Sequence, residues 1–275
     1  MTRRLGIVIA ATMISSPLSA AAATNTATLE EVVVTARHRE ESLQRTPLAI
    51  SVFDNEESRL RGIQNLGDLQ RYIPNASIHA ARGTSSTLAA YIRGIGQDDP
   101  LWGYEPGVGL YIDDVYIARP QGALLDIYDI ERVEVLRGPQ GTLYGKNTLA
   151  GAIRYVTRQL PTEGTHVDAQ ATLGNYQRRD AVLSASTPVS DTLVAGAAIA
   201  SYYRNGFGTN LTSNRPISDK DMIATRLSAE WSATADWKVA WSADMTVDNS
   251  NVRGAQRLTN SVLTGETPLH NPHDV

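Results

Sequence analysis

The sequence predicts a small mixed αβ domain followed by the first antiparallel strands of a transmembrane β-barrel that is left incomplete. Three features carry this expectation. Residues 132–158, RVEVLRGPQGTLYGKNTLAGAIRYVTR, alternate apolar and polar positions at both flanks, and Gly138, Gly141, Gly145 and Gly151 turn the chain tightly between them. After Leu160-Pro161, a train of segments of barrel-wall length alternates in the same way. The chain also opens on an export leader, which sends the mature protein out of the cytoplasm.

The leader occupies residues 1–23. Arg3 and Arg4 supply the positive start, residues 5–14 are apolar, and small residues at 19–23 offer a cleavage site. The apolar run is well short of the ~20 residues a spanning helix needs. Export by a twin-arginine route is the other reading of the same start. No later run is long enough to span as a helix, so the mature chain is either soluble or a β-barrel. Removing Arg3 and Arg4 takes the formal charge from −4 to −6, and an acidic chain without a basic cluster argues against nucleic acid. Cysteine is absent, which excludes disulfides, thiolate metal sites and Cys nucleophiles.

Residues 24–40 begin small and polar and continue as Leu29-Glu30-Glu31-Val32-Val33-Val34-Thr35-Ala36. Three valines and a threonine favour extended backbone. Such a piece is either the first strand of the next domain or a segment that adds to a partner's sheet edge through main-chain hydrogen bonds.

Residues 41–158 read as one compact domain. Leu48, Ile50 and Val52 alternate as a strand, and Asp54 or Asn55 caps a helix over 56–61. Ile63, Leu66, Leu69 and Tyr72 keep roughly helical spacing until Pro74 ends the element. Ala89, Tyr91 and Arg93 lead into Gly94-Ile95-Gly96. Val108, Leu110, Ile112, Val115 and Ile117 form a strand pair around Asp113-Asp114. The expected sheet draws on 49–53, 110–117, 133–136 and 152–156.

Residues 159–275 hold about five strands, at 166–173, 181–187, 192–203, 223–231 and 237–247. Short turns at 188–191 and 233–236 contrast with a long polar connection at 205–220, the pattern of short periplasmic turns and longer outer loops. Tyr176, Tyr202, Tyr203, Phe207, Trp231 and Trp237 fall near strand ends, where an aromatic girdle is expected. A soluble β-sandwich would alternate too. About five strands do not close a barrel, and an unclosed sheet edge cannot sit in lipid. The chain is therefore expected to be the N-terminal portion of a longer protein.

Six motifs occur in order: PLAISVFD (47–54), LGDLQRYIPN (66–75), YIRGIG (91–96), VGLYIDDVYIAR (108–119), IERVEVLRGPQGTLYGKN (130–147) and AGAIRYVT (150–157). Together they resemble the plug domain of TonB-dependent outer-membrane receptors. The resemblance implies a plug domain over 41–158 and a TonB box at Glu31, Val32, Val33, Val34, Thr35 and Ala36, gripped by a TonB-type periplasmic energy-coupling protein. It implies that Arg93 and Arg137 pair with glutamates of the barrel wall and lock the plug in place. Gly94, Glu134, Gly138, Gly141 and Gly145 match the plug motif. Arg82, Trp102 and Tyr104, in apical loops at 81–86 and 97–104, become candidate ligand contacts, with stacking surfaces among them. The implied function is energy-coupled import of a scarce ligand across the outer membrane, an iron-siderophore complex first, with haem, cobalamin and carbohydrate left open. No catalytic residue, resident metal or cofactor is implied.

The alternative is a passive porin or surface adhesin, which predicts neither gripping strand nor plug. Nucleotide binding fails on spacing: three residues separate Gly141 from Gly145-Lys146, and Asn147 follows where a P-loop needs Ser or Thr. Asp98-Asp99 and Asp113-Asp114 could ligate a hard cation, but paired acids at turn tips are usually solvated, and no regular ligand spacing follows them. His270 and His273 lack the glutamate of a zinc HExxH motif.

Overall fold

The computed structural model describes residues 33–254 except 38, 40, 82, 83, 102, 127 and 235, together with 262, 263, 265 and 267. The leader, Glu31, Val32, Arg82 and Trp102 lie outside these residues.

The described chain opens with a small antiparallel hairpin, β1 (Val33–Val34) against β2 (Glu41–Ser42). A 3-10 turn at Leu43–Arg45 leads to β3 (Ile50–Asp54) and α1 (Asn55–Leu60). Of the two candidate caps, Asp54 does the capping, its carboxylate accepting from Glu57 N–H at 2.7 Å. The next element is a 3-10 helix, Leu66–Arg71, and not an α-helix. Ile63, Leu66, Leu69 and Tyr72 recur every three residues, which is the 3-10 period. A capping box between Asn65 and Asp68 fixes its start.

A three-stranded sheet follows: β4 (Ala76–Ala80), β5 (Leu88–Ile92) and β6 (Ile95–Gln97). Then come β7 (Val108–Ile112), β8 (Val115–Tyr116), β9 (Ile130–Arg137), α2 (Gly141–Tyr144) and β10 (Gly151–Thr157). The β7–β8 hairpin turns on Asp113 and Asp114, both at positive φ (44° and 68°), as a two-residue primed turn requires. The main sheet runs β3-β9-β10-β7-β8, with β10 parallel to β7 and antiparallel to β9. These strands are the four segments the alternating pattern singles out.

Alternation gives this sheet two distinct faces. Val133, Val135, Ile153, Tyr155 and Leu110 pack into the principal core with Phe53, Ile78 and Ile92. The opposite face carries Leu136, Ala152 and Tyr111, covered by Ala36 and Tyr144, and also the charged residues described below.

Beyond Leu160 the chain forms a five-stranded antiparallel sheet. It comprises β11 (His166–Gly174), β12 (Arg178–Ser190), β13 (Leu193–Arg204), β16 (Lys220–Ser232) and β17 (Lys238–Asp248), in that spatial order. Within the long 205–219 connection, β14 (Gly208–Asn210) and β15 (Arg215–Ile217) make a small hairpin that the sequence pattern does not signal.

The outward face presents Leu183, Ile199, Ile223, Leu227, Trp231 and Trp241, all exposed, as a lipid-facing wall would. The inward face is small or polar: Ser184, Ser186, Ala198, Ala200, Ala224 and Arg226 are buried. Tyr202 also points inward, buried with Met222 and Tyr128, so it does not belong to an outer girdle. Packing against the αβ domain, not proximity to a strand end, sets its direction.

Ion pairs join the wall to the αβ domain. Lys220 Nζ lies 2.9 Å from Asp126. Arg226 holds Asp244 at 2.7 Å and donates to the Asp129 carbonyl at 3.4 Å. Burial pushes the Asp126 carboxyl above the usual range, against the pull of Lys220.

Candidate functional site

RVEV places Arg132 and Glu134 two residues apart in β9, hence on one face of the sheet. The register sets Arg154 of β10 directly opposite Glu134. Glu134 is fully buried, and Arg132 and Arg154 nearly so. Its carboxylate takes Arg132 Nε at 2.8 Å and Arg154 Nη1 at 2.6 Å. The outer ends of the two guanidiniums reach Glu131 and Asp114, the latter at 2.7 Å. Buried charges are tolerated when paired and hydrogen-bonded in this way. Burial opposes the charge on Arg154, but Glu134, Tyr144 and Asp114 outweigh it and hold the guanidinium more firmly protonated than usual.

Thr35 completes the cluster. Its N–H donates to Glu134 Oε1 at 3.0 Å, and its hydroxyl oxygen accepts from Arg132 Nη2 and Arg154 Nη1, each at 2.9 Å. Next to it, the Ala36 carbonyl accepts from the Tyr144 hydroxyl at 2.6 Å, and the Tyr144 carbonyl accepts from the Tyr111 hydroxyl at 2.6 Å. Val34 and Ala36 are buried while Val33 is exposed. The Val33–Ala36 segment thus roofs the charged face of the sheet, held by side chains from β9, β10 and α2.

The glycines serve this arrangement. Gly138 (φ 119°) and Gly145 (φ 78°) adopt left-handed backbone on either side of α2 and so deliver Tyr144 to Ala36. Asp113 binds Thr157 through N–H and hydroxyl at 2.8 and 2.7 Å, and Asp114 pairs with Arg154. Both acids at that turn are structural, and no cluster suited to a metal occurs among the described residues.

Arg93 and Gly94 form the β5–β6 turn, both at positive φ (54° and 79°). Arg93 is exposed, and its Nη1 lies 3.6 Å from the position a Cβ on Gly138 would occupy. Gly138 follows Arg137, whose Nε is buried with no hydrogen-bond partner among the described residues. Neither arginine makes an ion pair among the described residues. Tyr104 is exposed on the 98–107 loop.

Sequence reasoning singled out Glu134 but missed Arg132, Arg154 and Tyr144. The signal was present: two charges on one face of the otherwise apolar strand RVEV, and an arginine inside AGAIRYVT.

The family model of the TonB-dependent receptor plug domain matches residues 42–152. Residues 42–152 are thus a TonB-dependent receptor plug domain. The chain is 31% identical over 171 residues to the iron-regulated outer membrane virulence protein of Vibrio cholerae, covering 58% of this chain and 23% of that protein. It is 28% identical over 155 residues to the vitamin B12 transporter of Vibrio vulnificus, covering 55% and 24%. The fold is also that of the ferric yersiniabactin uptake receptor of Yersinia pestis, with TM-score 0.64, 23% identity, and 72% of this chain aligned to 31% of that one. The chain spans about a quarter of the length of the two curated relatives (23% and 24%). Its mixed αβ part is a plug domain, and its strand array is part of a barrel wall.

Proposed function

We propose that the receptor imports a ferric siderophore across the outer membrane, driven by a TonB-type periplasmic protein that pairs with the segment around Val33–Ala36. The observation that carries this reading is the docking of that segment on the buried Arg132–Glu134–Arg154 cluster. A partner that adds a strand to it pulls directly on the plug's central sheet, which is the link an energy-coupled importer needs. The relatives add support, since an iron-regulated outer-membrane protein and a ferric uptake receptor are both similar to this chain. A passive porin or adhesin has no use for such a segment.

The test is Val33→Pro in the complete receptor. Proline deletes a main-chain donor and fixes φ, which a paired strand tolerates poorly. Growth on a supplied ferric siderophore under iron limitation should stop, while abundance in the outer membrane and ligand binding at the cell surface persist. Undiminished uptake by the proline variant would refute the coupling role.

A further inference from the structure

We propose that β2 (Glu41–Ser42) is an internal stand-in for the coupling protein's strand. It occupies the edge of β1 (Val33–Val34) at which that partner pairs, and its displacement is the first step of coupling. This deepens the import reading above and rests on it.

A strand takes on a neighbour only through an edge whose N–H and C=O groups are unpaired. On one side, Val33 and Val34 are already laddered to Ser42 and Glu41. The other side of the segment lies against the plug. There the Thr35 N–H is taken by Glu134 at 3.0 Å, and the Ala36 carbonyl by the Tyr144 hydroxyl at 2.6 Å. A partner strand must therefore displace one of these two sets of contacts.

The two sets differ in strength. The plug side is built on the fully buried Glu134, and a hydrogen bond to a buried charge is the stronger kind. The β1–β2 ladder is two residue pairs long, and a hairpin of that size is marginal in water. A bracket of charges holds it closed. Arg37 Nη1 lies 3.3 Å from Glu41 Oε1, and Arg39 reaches the same oxygen. The two arginine side chains are 35% and 62% exposed, so solvent screens both pairs. The second oxygen, Glu41 Oε2, is buried with no hydrogen-bond partner among the described residues. Leaving an acceptor in that state costs free energy, and opening the hairpin returns it to water. β2 therefore yields first. The partner's strand takes the vacated edge while Thr35 stays on Glu134, so tension passes from the new strand into β9 and β10.

The test joins the two strands reversibly. Val33 and Ser42 stand directly opposite each other, a placement with Cα atoms about 4.5–5.5 Å apart, within disulfide reach. In the complete receptor, kept otherwise cysteine-free, Val33→Cys with Ser42→Cys locks the hairpin on oxidation. The probe is the purified periplasmic domain of the coupling protein, titrated calorimetrically against the receptor in detergent. The oxidised form should bind it at least tenfold more weakly than the same protein after reduction. Glu41→Gln removes the charge that holds Arg37 and Arg39, and should tighten binding threefold or more. If the cysteine pair fails to fold, Glu41→Gln carries the test. Equal affinity of the oxidised and reduced forms, or unchanged affinity in Glu41→Gln, overturns the proposal. Should that happen while Val33→Pro still abolishes uptake, only the stand-in role of β2 falls. Normal uptake by Val33→Pro removes the coupling role and this proposal together.

Discussion

Thr35 donates its backbone N–H to Glu134 at 3.0 Å, spanning 99 positions of sequence. The bond joins the most N-terminal described segment to the middle of the plug's central sheet. It makes Glu134 both an internal counterion for two arginines and an anchor for the Val33–Ala36 segment. Force applied at Val33–Ala36 is therefore first felt by a buried, low-dielectric charge cluster.

Glu134→Gln should release the segment. A hydrogen bond to a charged group contributes about 1.5–3 kcal/mol, and each ~1.4 kcal/mol is a factor of ten. The undocked population should rise between roughly tenfold and a hundredfold. These 275 residues hold no cysteine, so in a complete receptor kept otherwise cysteine-free Val34→Cys is a single buried reporter, and its thiol-modification rate reads the opening directly. An unchanged rate would show that Glu134 does not hold the segment.

Tyr144→Phe removes only the hydroxyl bonded to the Ala36 carbonyl. The loss should be smaller, about 0.5–1.5 kcal/mol for a neutral pair, which is roughly a two- to tenfold faster labelling of the same reporter. The ring and its packing against Tyr111 stay in place, so melting of the receptor should barely shift. A large drop in stability would assign Tyr144 to the core and not to the latch.

Arg93→Ala with Arg137→Ala tests whether these two arginines lock the plug to wall carboxylates. Removing one partner of a buried pair costs ~3–5 kcal/mol, whereas losing a solvated pair costs ~0–1 kcal/mol. The double variant should admit large antibiotics that the native receptor excludes. An intact permeability barrier at normal abundance would dismiss the lock.

Asp126→Asn probes the junction of plug and wall. Burial raises the Asp126 carboxyl in the fold despite Lys220. The folded state therefore binds this proton more tightly than the unfolded one, and the residue's contribution to stability falls as pH rises through its raised folded value. The melting temperature of the native receptor minus that of the Asn variant should increase on acidification from neutrality towards pH ~4, near the ordinary Asp value. A difference that shrinks on acidification would mean the Lys220 pair outweighs burial.

Much of the plug was legible because its signals are local. Alternation marked β3, β7, β9 and β10, and Asp113-Asp114 marked the β7–β8 turn. The recurrence of Ile63, Leu66, Leu69 and Tyr72 every three residues marked a helix, but only its hydrogen-bonding distinguished 3-10 from α. Tyr202 was misassigned because a tyrosine near a strand end looks the same whether lipid or a plug lies opposite. The β14–β15 hairpin, three residues a side, is too short to leave a period.

The sequence by itself determined which segments are strands, which face of each is apolar, and that an extended valine-rich segment precedes the plug. Those properties follow from side-chain sterics and from the two-residue repeat of a strand, both set within a few neighbours. Only the tertiary structure decided that Thr35 meets Glu134 and that Tyr144 reaches Ala36. Such contacts depend on register and on which sheet face each distant segment covers. They are fixed by the mutual burial of groups about a hundred residues apart, as for Thr35 with Glu134 and Tyr144 with Ala36, and no local pattern encodes that.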